Sequence, residues 1–240
     1  MEGPRVAETP YFLIYQMGKV GSTSMTVSLQ EKFGADSVKH THNHDEAESV
    51  IYERAREGRP VVVITGFREP LARCISAYFE TFATSKNKYW FIGSQDEILS
   101  KSCDWLIADF SSKVSRNLSE VVAPWLMRYQ KSTGISAPQF ECKSGVLRAA
   151  VDGITCYVYK LERISDFASA TSSEAWIGDL RLQHKNEGDE KWSGDLYRDF
   201  KARFRITRSC YNAVYGGLDY VRWLYSGAEI EQLTAKYVIE

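Results

Sequence analysis

Four consecutive β-branched residues, Val61-Val62-Val63-Ile64, constrain the fold of this chain more than any other feature. A strand with one side facing water alternates apolar and polar residues, whereas this run has no polar position. Such a run is typical of a parallel strand that is covered on both faces. We therefore expect a central, mostly parallel sheet that lies between two layers of helices.

Strand and helix patterns alternate over most of the remaining chain. Short apolar runs predict two further strands, at residues 11–15 and 154–161. Amphipathic patterns predict helices at residues 22–33, 45–57, 70–82 and 196–215. Residues 84–139 are rich in Ser, Lys and aromatic side chains, and we expect them to mix helix with loops. The alternation of strands with helices indicates a three-layer α/β fold.

Composition limits the classes of protein that this chain can belong to. Its 240 residues predict a single domain over 1–240, and its net charge of −1 gives no overall field that would attract nucleic acid. No apolar run approaches the roughly 18 residues that cross a bilayer, and no signal peptide pattern opens the chain. Five cysteines without a Cys-x-x-Cys pair argue against disulfides and a cysteine zinc site. We expect free thiols in a reducing cytoplasm, although a chain that had lost a membrane anchor would look the same.

A glycine-containing loop, Gln16-Met17-Gly18-Lys19-Val20-Gly21, joins the first predicted strand to the first predicted helix. Amides at a helix N-terminus are unpaired donors, and the helix dipole favours an anion there. The two glycines allow close approach of the backbone, and the lysine adds a positive charge. The next three residues, Ser22-Thr23-Ser24, are expected helix N-caps and add hydroxyl donors. The segment predicts a P-loop-like site for a phosphate or sulfate group.

The loop does not follow the Walker A pattern, in which four residues separate the first glycine from Gly-Lys-Ser/Thr. Here Lys19 precedes the second glycine, and the loop is shorter. A nucleotide kinase or other P-loop NTPase would also need a magnesium-binding aspartate after an apolar strand, whereas Thr-Gly-Phe-Arg follows the central strand. That class stays open as an alternative, as does a capped turn with a surface lysine.

A second cationic segment follows the central strand. Arg68 would lie at the carboxyl end of that strand, where open α/β sheets bind ligands. If the next helix begins near Pro70, Arg73 and Ser76 are three positions apart on one face. An arginine and a hydroxyl suit a phosphate group. The alternative is that Arg68 forms an ion pair with Glu69 or another carboxylate.

Together, the loop and the sequence Arg68-x-Pro-x-x-Arg-x-x-Ser-x-Tyr resemble the PAPS-dependent sulfotransferase superfamily. The resemblance implies the sulfotransferase fold, PAPS as donor, PAP as product and no metal. It implies that Arg68 and Ser76 hold the 3′-phosphate of the nucleotide. It assigns the 5′-phosphosulfate to Lys19, Val20, Gly21, Ser22, Thr23 and Ser24. The middle of the chain departs from the family pattern, which leaves the acceptor site unassigned.

Three weaker similarities extend the resemblance. The segment from Gln16 to Ser24 is similar to a bacterial subgroup assigned to capsular polysaccharide synthesis. Residues 125–140 and 159–164 support that subgroup, which implies a carbohydrate acceptor. In relatives a polar loop late in the chain contacts the nucleotide, which implies a binding role for Lys185 and Asn186.

Three of the four histidines lie in Lys39-His40-Thr41-His42-Asn43-His44. Sulfuryl transfer needs a base that takes a proton from the acceptor, and the unperturbed pKa of histidine suits this role. Uronosyl sulfotransferases carry a similar His-x-His whose second histidine is the base. The resemblance therefore implies His42, with His40 and His44 in reserve. A metal site and a plain surface loop are the alternatives, and we predict no metal because no carboxylate or cysteine motif completes a ligand set.

These observations predict an enzyme that transfers a sulfuryl group in line from PAPS to a hydroxyl or amine of a carbohydrate. Lys19 and the loop amides would neutralise charge on the bridging oxygen as PAP leaves, and His42 would deprotonate the acceptor. Two other classes stay open: the P-loop nucleotide kinase or NTPase, and a non-catalytic module that binds PAP, PAPS or a phosphorylated partner.

Overall fold

The computed structural model describes residues 9–84, 87–143, 145–172, 174, 180–182 and 192–239. Its strands are β1 (Tyr11–Tyr15), β2 (Val38–Thr41), β3 (Val61–Phe67), β4 (Glu141–Lys143), β5 (Val146–Val151), β6 (Ile154–Lys160), β7 (Ile206–Thr207) and β8 (Val238–Ile239). Its helices are α1 (Ser22–Phe33), α2 (His44–Arg56), α3 (Pro70–Thr81), α4 (Gln95–Leu99), α5 (Cys103–Asn117), α6 (Trp125–Thr133), α7 (Asp166–Ala170), α8 (Gly194–Arg203), α9 (Arg208–Gly216), α10 (Asp219–Leu224) and α11 (Gly227–Tyr237).

The chain groups into two compact units, each built from two segments. The first unit comprises Met1–Arg68 and Met127–Lys185, and the second comprises Glu69–Leu126 and Asn186–Glu240. The single domain expected from the chain length stays a prediction. In the described part of the chain, no helix combines the length and apolar character that crossing a membrane requires.

The first unit contains a six-stranded sheet in the order β2-β1-β3-β6-β5-β4. The strands β2, β1, β3 and β6 are parallel, whereas β5 runs antiparallel to β6 and β4 antiparallel to β5. All seven residues of β3 are buried, as the unbroken β-branched run predicts. The expected α/β fold with a mostly parallel central sheet is confirmed.

Helices of the first unit cover both faces of this sheet. On one face, Phe12 and Ile14 of β1 share a buried cluster with Met25 and Leu29 of α1 and with Phe167 of α7. On the other face, the Tyr15 ring stacks on Tyr129 of α6 at 6.1 Å, and the Arg54 guanidinium of α2 lies 4.9 Å from the Tyr11 ring. Alternation along β1 explains this division, because successive side chains of a strand point to opposite faces.

The second unit is mainly helical and packs around aromatic side chains. Trp90 stacks on Phe110 of α5 at 5.5 Å, and Phe200 of α8 stacks on Phe204 at 5.4 Å. Tyr78 of α3 contacts both stacked pairs through edge-on and tilted ring contacts. These rings form the apolar core that α3, α5 and α8 share.

The predicted continuous helix over residues 196–215 is wrong. Helix α8 ends at Arg203, Ile206–Thr207 is extended and pairs with Val238–Ile239, and α9 begins at Arg208. The Thr207 side chain accepts from the Cys210 amide at 3.3 Å and caps α9. Apolar spacing continues across this break because Phe204 is buried at the helix end, so the spacing alone does not reveal it.

Candidate functional site

Three neighbouring parallel strands bring the sequence motifs of the first unit to one edge of the sheet. Tyr15 pairs with Thr41 across β1 and β2, and Ile14 pairs with Ile64 across β1 and β3. The glycine-containing loop, His42 and Arg68 follow the carboxyl ends of these strands. In open α/β sheets this edge binds ligands.

The glycine-containing loop, residues 16–21, has an unusual backbone. Gly18, Lys19 and Gly21 have φ angles of 79°, 63° and 83°, which lie in the left-handed region. This region is strained for a residue with a Cβ atom, so Lys19 holds a conformation that costs free energy. Strained backbone of this kind is concentrated at ligand sites.

Helix α1 begins without a side-chain cap. Its N-cap is Gly21, and Ser22, Thr23 and Ser24 lie in the first helical turn, so the prediction that these hydroxyl residues cap the helix is wrong. The left-handed conformation of Gly21 explains the difference, since an N-cap serine needs extended backbone for its hydroxyl to reach the helix amides.

The amides at this helix start are available to a ligand. The first turn of a helix has no intrahelical acceptors for its amides. Among the residues that the structure describes, the amides from Val20 to Thr23 have no other protein acceptor either. The helix dipole adds positive potential at the same place. The loop and helix start therefore form a site that suits an anion.

His42 lies directly against this loop. Its Nδ1 atom is 2.5 Å from the backbone carbonyl oxygen of Gln16, and a Cβ atom on Gly18 would lie 3.6 Å from its Cε1 atom. A carbonyl oxygen can only accept, so Nδ1 carries a proton, and in the neutral imidazole Nε2 has the lone pair. The imidazole is exposed, and it presents a proton-accepting atom beside the anion site.

The other two histidines have different surroundings. His40 is half-buried in β2, and its ring centroid lies 4.6 Å from that of His42. Burial, with a smaller contribution from His42, lowers the pKa of His40 from 6.5 to about 4. Nδ1 of His44 contacts the Ser132 hydroxyl in a very short hydrogen bond, and its Nε2 lies 3.6 Å from Glu48. His42 is therefore the histidine best placed to act as a base.

Arg68 approaches the loop from the end of β3. Its Nη1 atom donates a long hydrogen bond of 3.5 Å to the carbonyl oxygen of Lys19. Both side chains are half-buried. The two cationic residues predicted from separate motifs are thus neighbours within the first unit.

Ser76 and Arg73 belong to α3 of the second unit. Ser76 is half-buried in the second turn of the helix. Arg73 is 6% exposed, and its Nη1 atom donates to the Asn117 side chain at 2.7 Å. Arg73 and Ser76 were predicted to share a helix face that binds a ligand. Arg73 does not fit this role, because its side chain is held by an internal contact with Asn117.

Glu69 occupies the backbone amides at the start of α3, which would otherwise be open to an anion. Its buried carboxylate accepts from the amides of Leu71 and Ala72 at 2.8 and 2.6 Å, and it receives a very short hydrogen bond from the Tyr215 hydroxyl. Glu69 thus serves as the N-cap of α3. Any phosphate at this segment must rely on side chains, because the first amides of α3 already have an acceptor.

Gln16 is a site residue that the sequence motifs did not single out. Its buried side-chain Oε1 accepts from the Gly66 amide at 2.9 Å, while its backbone carbonyl accepts from His42. One residue therefore joins the loop to β3 and to the candidate base. The sequence does offer one signal for this role, which is the position of Gln16 directly after a buried strand. A buried polar residue at such a position is seldom without hydrogen bonds.

A group of possible metal ligands lies near the site. In the described part of the chain, atoms of His44, Asp45 and Glu48 lie within 4.8 Å of one another, and the two carboxylates are exposed. His40 and His42 are not members, so the alternating histidines do not form the metal set considered from the sequence. The predicted nucleotide contacts Lys185 and Asn186 lie outside the described residues.

Comparison of the chain with protein-family models, curated proteins and solved structures finds no match. The function is therefore inferred from the geometry of the site and from the motifs of the sequence.

Proposed function

We propose that this chain is a sulfotransferase that moves the sulfuryl group of PAPS to a hydroxyl or amine of a carbohydrate acceptor. The observation that carries the proposal is the position of His42 against Gly18. A histidine with its proton fixed on Nδ1 thereby lies against the loop that leads into the amides from Val20 to Thr23, which have no protein acceptor among the described residues. An anion-binding loop alone fits many nucleotide-binding proteins, whereas a base next to it suits group transfer to a protonated acceptor.

The donor would bind through its two charged ends. The amides from Val20 to Thr23, the hydroxyls of the first helical turn and Lys19 would hold the 5′-phosphosulfate. Arg68 and Ser76 would hold the 3′-phosphate, as the sequence resemblance implies. We also propose that the α/β fold is specifically the sulfotransferase fold, with residues 16–21 as its P-loop-like element.

The reaction would be one in-line displacement. Nε2 of His42 accepts the acceptor proton while the acceptor oxygen or nitrogen forms a bond to sulfur. The bond between sulfur and the bridging oxygen breaks, and PAP leaves with that electron pair. Lys19 and the loop amides stabilise the charge on the leaving oxygen. No metal is needed for this charge balance, and the five free cysteines are consistent with action in a reducing cytoplasm.

The test combines binding with turnover. PAP, ADP and ATP are compared by thermal shift, and acceptors are then screened with PAPS that carries labelled sulfur. PAP at about 100 times its dissociation constant should stabilise the fold by roughly 2.7 kcal/mol. ADP should have a smaller effect, because it lacks the 3′-phosphate. Equal shifts would contradict the assignment of Arg68 and Ser76.

The same experiment separates the alternatives. A nucleotide kinase would prefer ATP with magnesium and would transfer no labelled sulfur. A non-catalytic module would bind PAP but would label none of the acceptors.

A further inference from the structure

We infer that Tyr159 is a positioning residue of the glycine-containing loop. Its buried hydroxyl holds the Val20 carbonyl on the inner side of the loop and thereby turns the Gly21 amide toward the bound anion. The inference rests on the proposed function, because it assigns a task within the same donor site.

The hydroxyl of Tyr159 has one well-placed acceptor. Tyr159 is 1% exposed in β6, and its Oη atom donates to the Val20 carbonyl oxygen at 2.8 Å. The Gln16 Oε1 atom lies 3.3 Å from the same hydroxyl. Burial raises the pKa of this phenol well above its ordinary value, so it stays protonated and remains a donor.

A glycine in the central strand makes this contact possible. Gly66 pairs with Tyr159 across β3 and β6. A Cβ atom on Gly66 would lie 2.6 Å from Cζ of Tyr159 and 2.7 Å from the Val20 carbonyl oxygen. The phenol therefore lies across the bare backbone of Gly66, where it meets the loop. This explains a glycine inside a buried strand that otherwise favours β-branched residues.

The contact with Tyr159 sets the orientation of the peptide group between Val20 and Gly21. The chain has no cis peptide bond among its described residues, so the carbonyl of Val20 and the amide of Gly21 point in opposite directions. Because Tyr159 holds the carbonyl from inside, the amide of Gly21 faces away from the core. Without the hydroxyl, this peptide plane could turn and place a carbonyl oxygen where an anion would bind.

Two other backbone carbonyls of the loop also accept a hydrogen bond from a side chain. The Gln16 carbonyl receives the His42 Nδ1 proton, and the Lys19 carbonyl receives a hydrogen bond from Arg68. Side-chain donors thus occupy three carbonyls of the loop. Of these donors, Tyr159 is the one placed to act through the loop alone, since His42 and Arg68 have proposed roles in catalysis and in binding the 3′-phosphate.

Tyr159 also packs in the core, and this contribution must be separated from positioning. Its ring centroid lies 5.7 Å from that of Phe167. Tyr159→Phe keeps the ring and removes only the hydroxyl. Tyr157→Phe is the matched control, because Tyr157 lies two residues earlier in β6, is 2% exposed, and its hydroxyl lies 3.3 Å from the Arg148 side chain rather than at the loop.

The experiment is calorimetric titration of the wild-type protein and both variants with PAP and with ADP. Loss of one hydrogen bond predicts that Tyr159→Phe weakens both nucleotides by about 3- to 10-fold, and by the same factor, because both carry the 5′-phosphate. Tyr157→Phe should bind both as the wild type does. Thermal unfolding of the free proteins checks that both variants are folded. Unchanged affinity in Tyr159→Phe, or an equal loss in Tyr157→Phe, would overturn the inference.

Failure of the proposed function gives a different result. If the wild-type protein binds neither nucleotide, the sulfotransferase proposal fails, and inorganic pyrophosphate becomes the probe. Selective weakening of pyrophosphate binding in Tyr159→Phe would then still support the positioning role. Equal pyrophosphate affinities in the three proteins, or no binding to any of them, would overturn it.

Discussion

Nδ1 of His42 lies 2.5 Å from the backbone carbonyl oxygen of Gln16, the first residue of the glycine-containing loop. The candidate base is therefore anchored to the same segment that would hold the donor. This shared anchor fixes the tautomer of the imidazole and the place of its free nitrogen relative to the anion site. It also means that substitutions of His42 can act in two ways, through the lost base and through the freed carbonyl.

Two substitutions of His42 separate these effects. We expect His42→Ala to lower kcat by about 10²- to 10⁴-fold, the usual contribution of a positioned base. His42→Asn should lose as much kcat, since it has no base. Its side-chain amide can still donate to the Gln16 carbonyl, so PAP should bind more tightly to His42→Asn than to His42→Ala. Single-turnover kinetics and PAP titrations measure both quantities.

His44→Ala provides the comparison for this pair. Its contacts with Ser132 and Glu48 predict a loss of stability with little change in kcat per folded molecule. A large fall in kcat for His44→Ala or His40→Ala, with none for His42→Ala, would move the role of base to that histidine. If no variant changed kcat even tenfold, the histidine mechanism would be wrong.

His40 should make stability depend on pH. Its pKa is about 4 in the folded protein and near the ordinary 6.5 in the unfolded chain, so the unfolded state binds more protons between these values. The free energy of unfolding should be fully retained above pH 6.5 and should fall by about 1–3 kcal/mol as the pH decreases toward 4. Urea unfolding across this window measures the fall. His40→Asn should show a smaller decrease, and an identical pH dependence in both proteins would exclude His40 as its source.

Arg68→Ala should weaken PAP binding without unfolding the protein. A hydrogen bond to a charged group contributes about 1.5–3 kcal/mol, which corresponds to roughly 10- to 150-fold in affinity. ADP affinity should change much less. Arg59→Ala is the matched control, because Arg59 precedes β3 and donates to the Thr9 carbonyl and the Ser37 hydroxyl. Equal PAP affinity in the wild type and a folded Arg68→Ala variant would count against the 3′-phosphate assignment.

Activity should survive EDTA, because the charges that would neutralise the donor come from Lys19, Arg68 and backbone amides. Turnover is measured before and after chelation. If chelation removed the activity, and zinc restored it in the wild type but not in Glu48→Gln, a metal would instead be assigned to His44, Asp45 and Glu48. Loss that only magnesium restores would favour the nucleotide kinase.

The sequence predicts the elements whose burial leaves an unambiguous pattern. The run at Val61 predicts the central parallel strand, and Pro70 predicts the start of α3. The β5–β6 hairpin was missed, although Asp152 and Gly153 form its two-residue turn with φ angles of 48° and 80°. An Asp-Gly pair between apolar segments is a recognised hairpin signal, but β5 alternates weakly and lies toward the edge of the sheet.

The candidate site was only partly predictable, because several of its contacts join segments that are far apart in the chain. The loop and Arg68 were predicted as site residues because each follows an apolar run typical of a strand, and His42 because it resembles the second histidine of a His-x-His in uronosyl sulfotransferases. The partners of Gln16 and Tyr159 depend on the order of strands in the sheet, which local patterns do not specify. The commitment of Arg73 to Asn117 likewise joins segments far apart in the chain. Contacts of this kind are set by tertiary structure and have no signature in a short stretch of sequence.

The order of strands has a consequence for synthesis of the protein on the ribosome. The loop, His42 and Arg68 are all made early, but β3 gains its second neighbour only when β6 emerges, after α3 to α6 and the β4–β5 hairpin. Until then Tyr159 is absent, and the bare backbone of Gly66 has nothing to cover it. A nascent chain arrested before Ile154 would therefore carry the donor motifs without an organised loop. Nucleotide binding by arrested chains should appear only once β6 has left the exit tunnel.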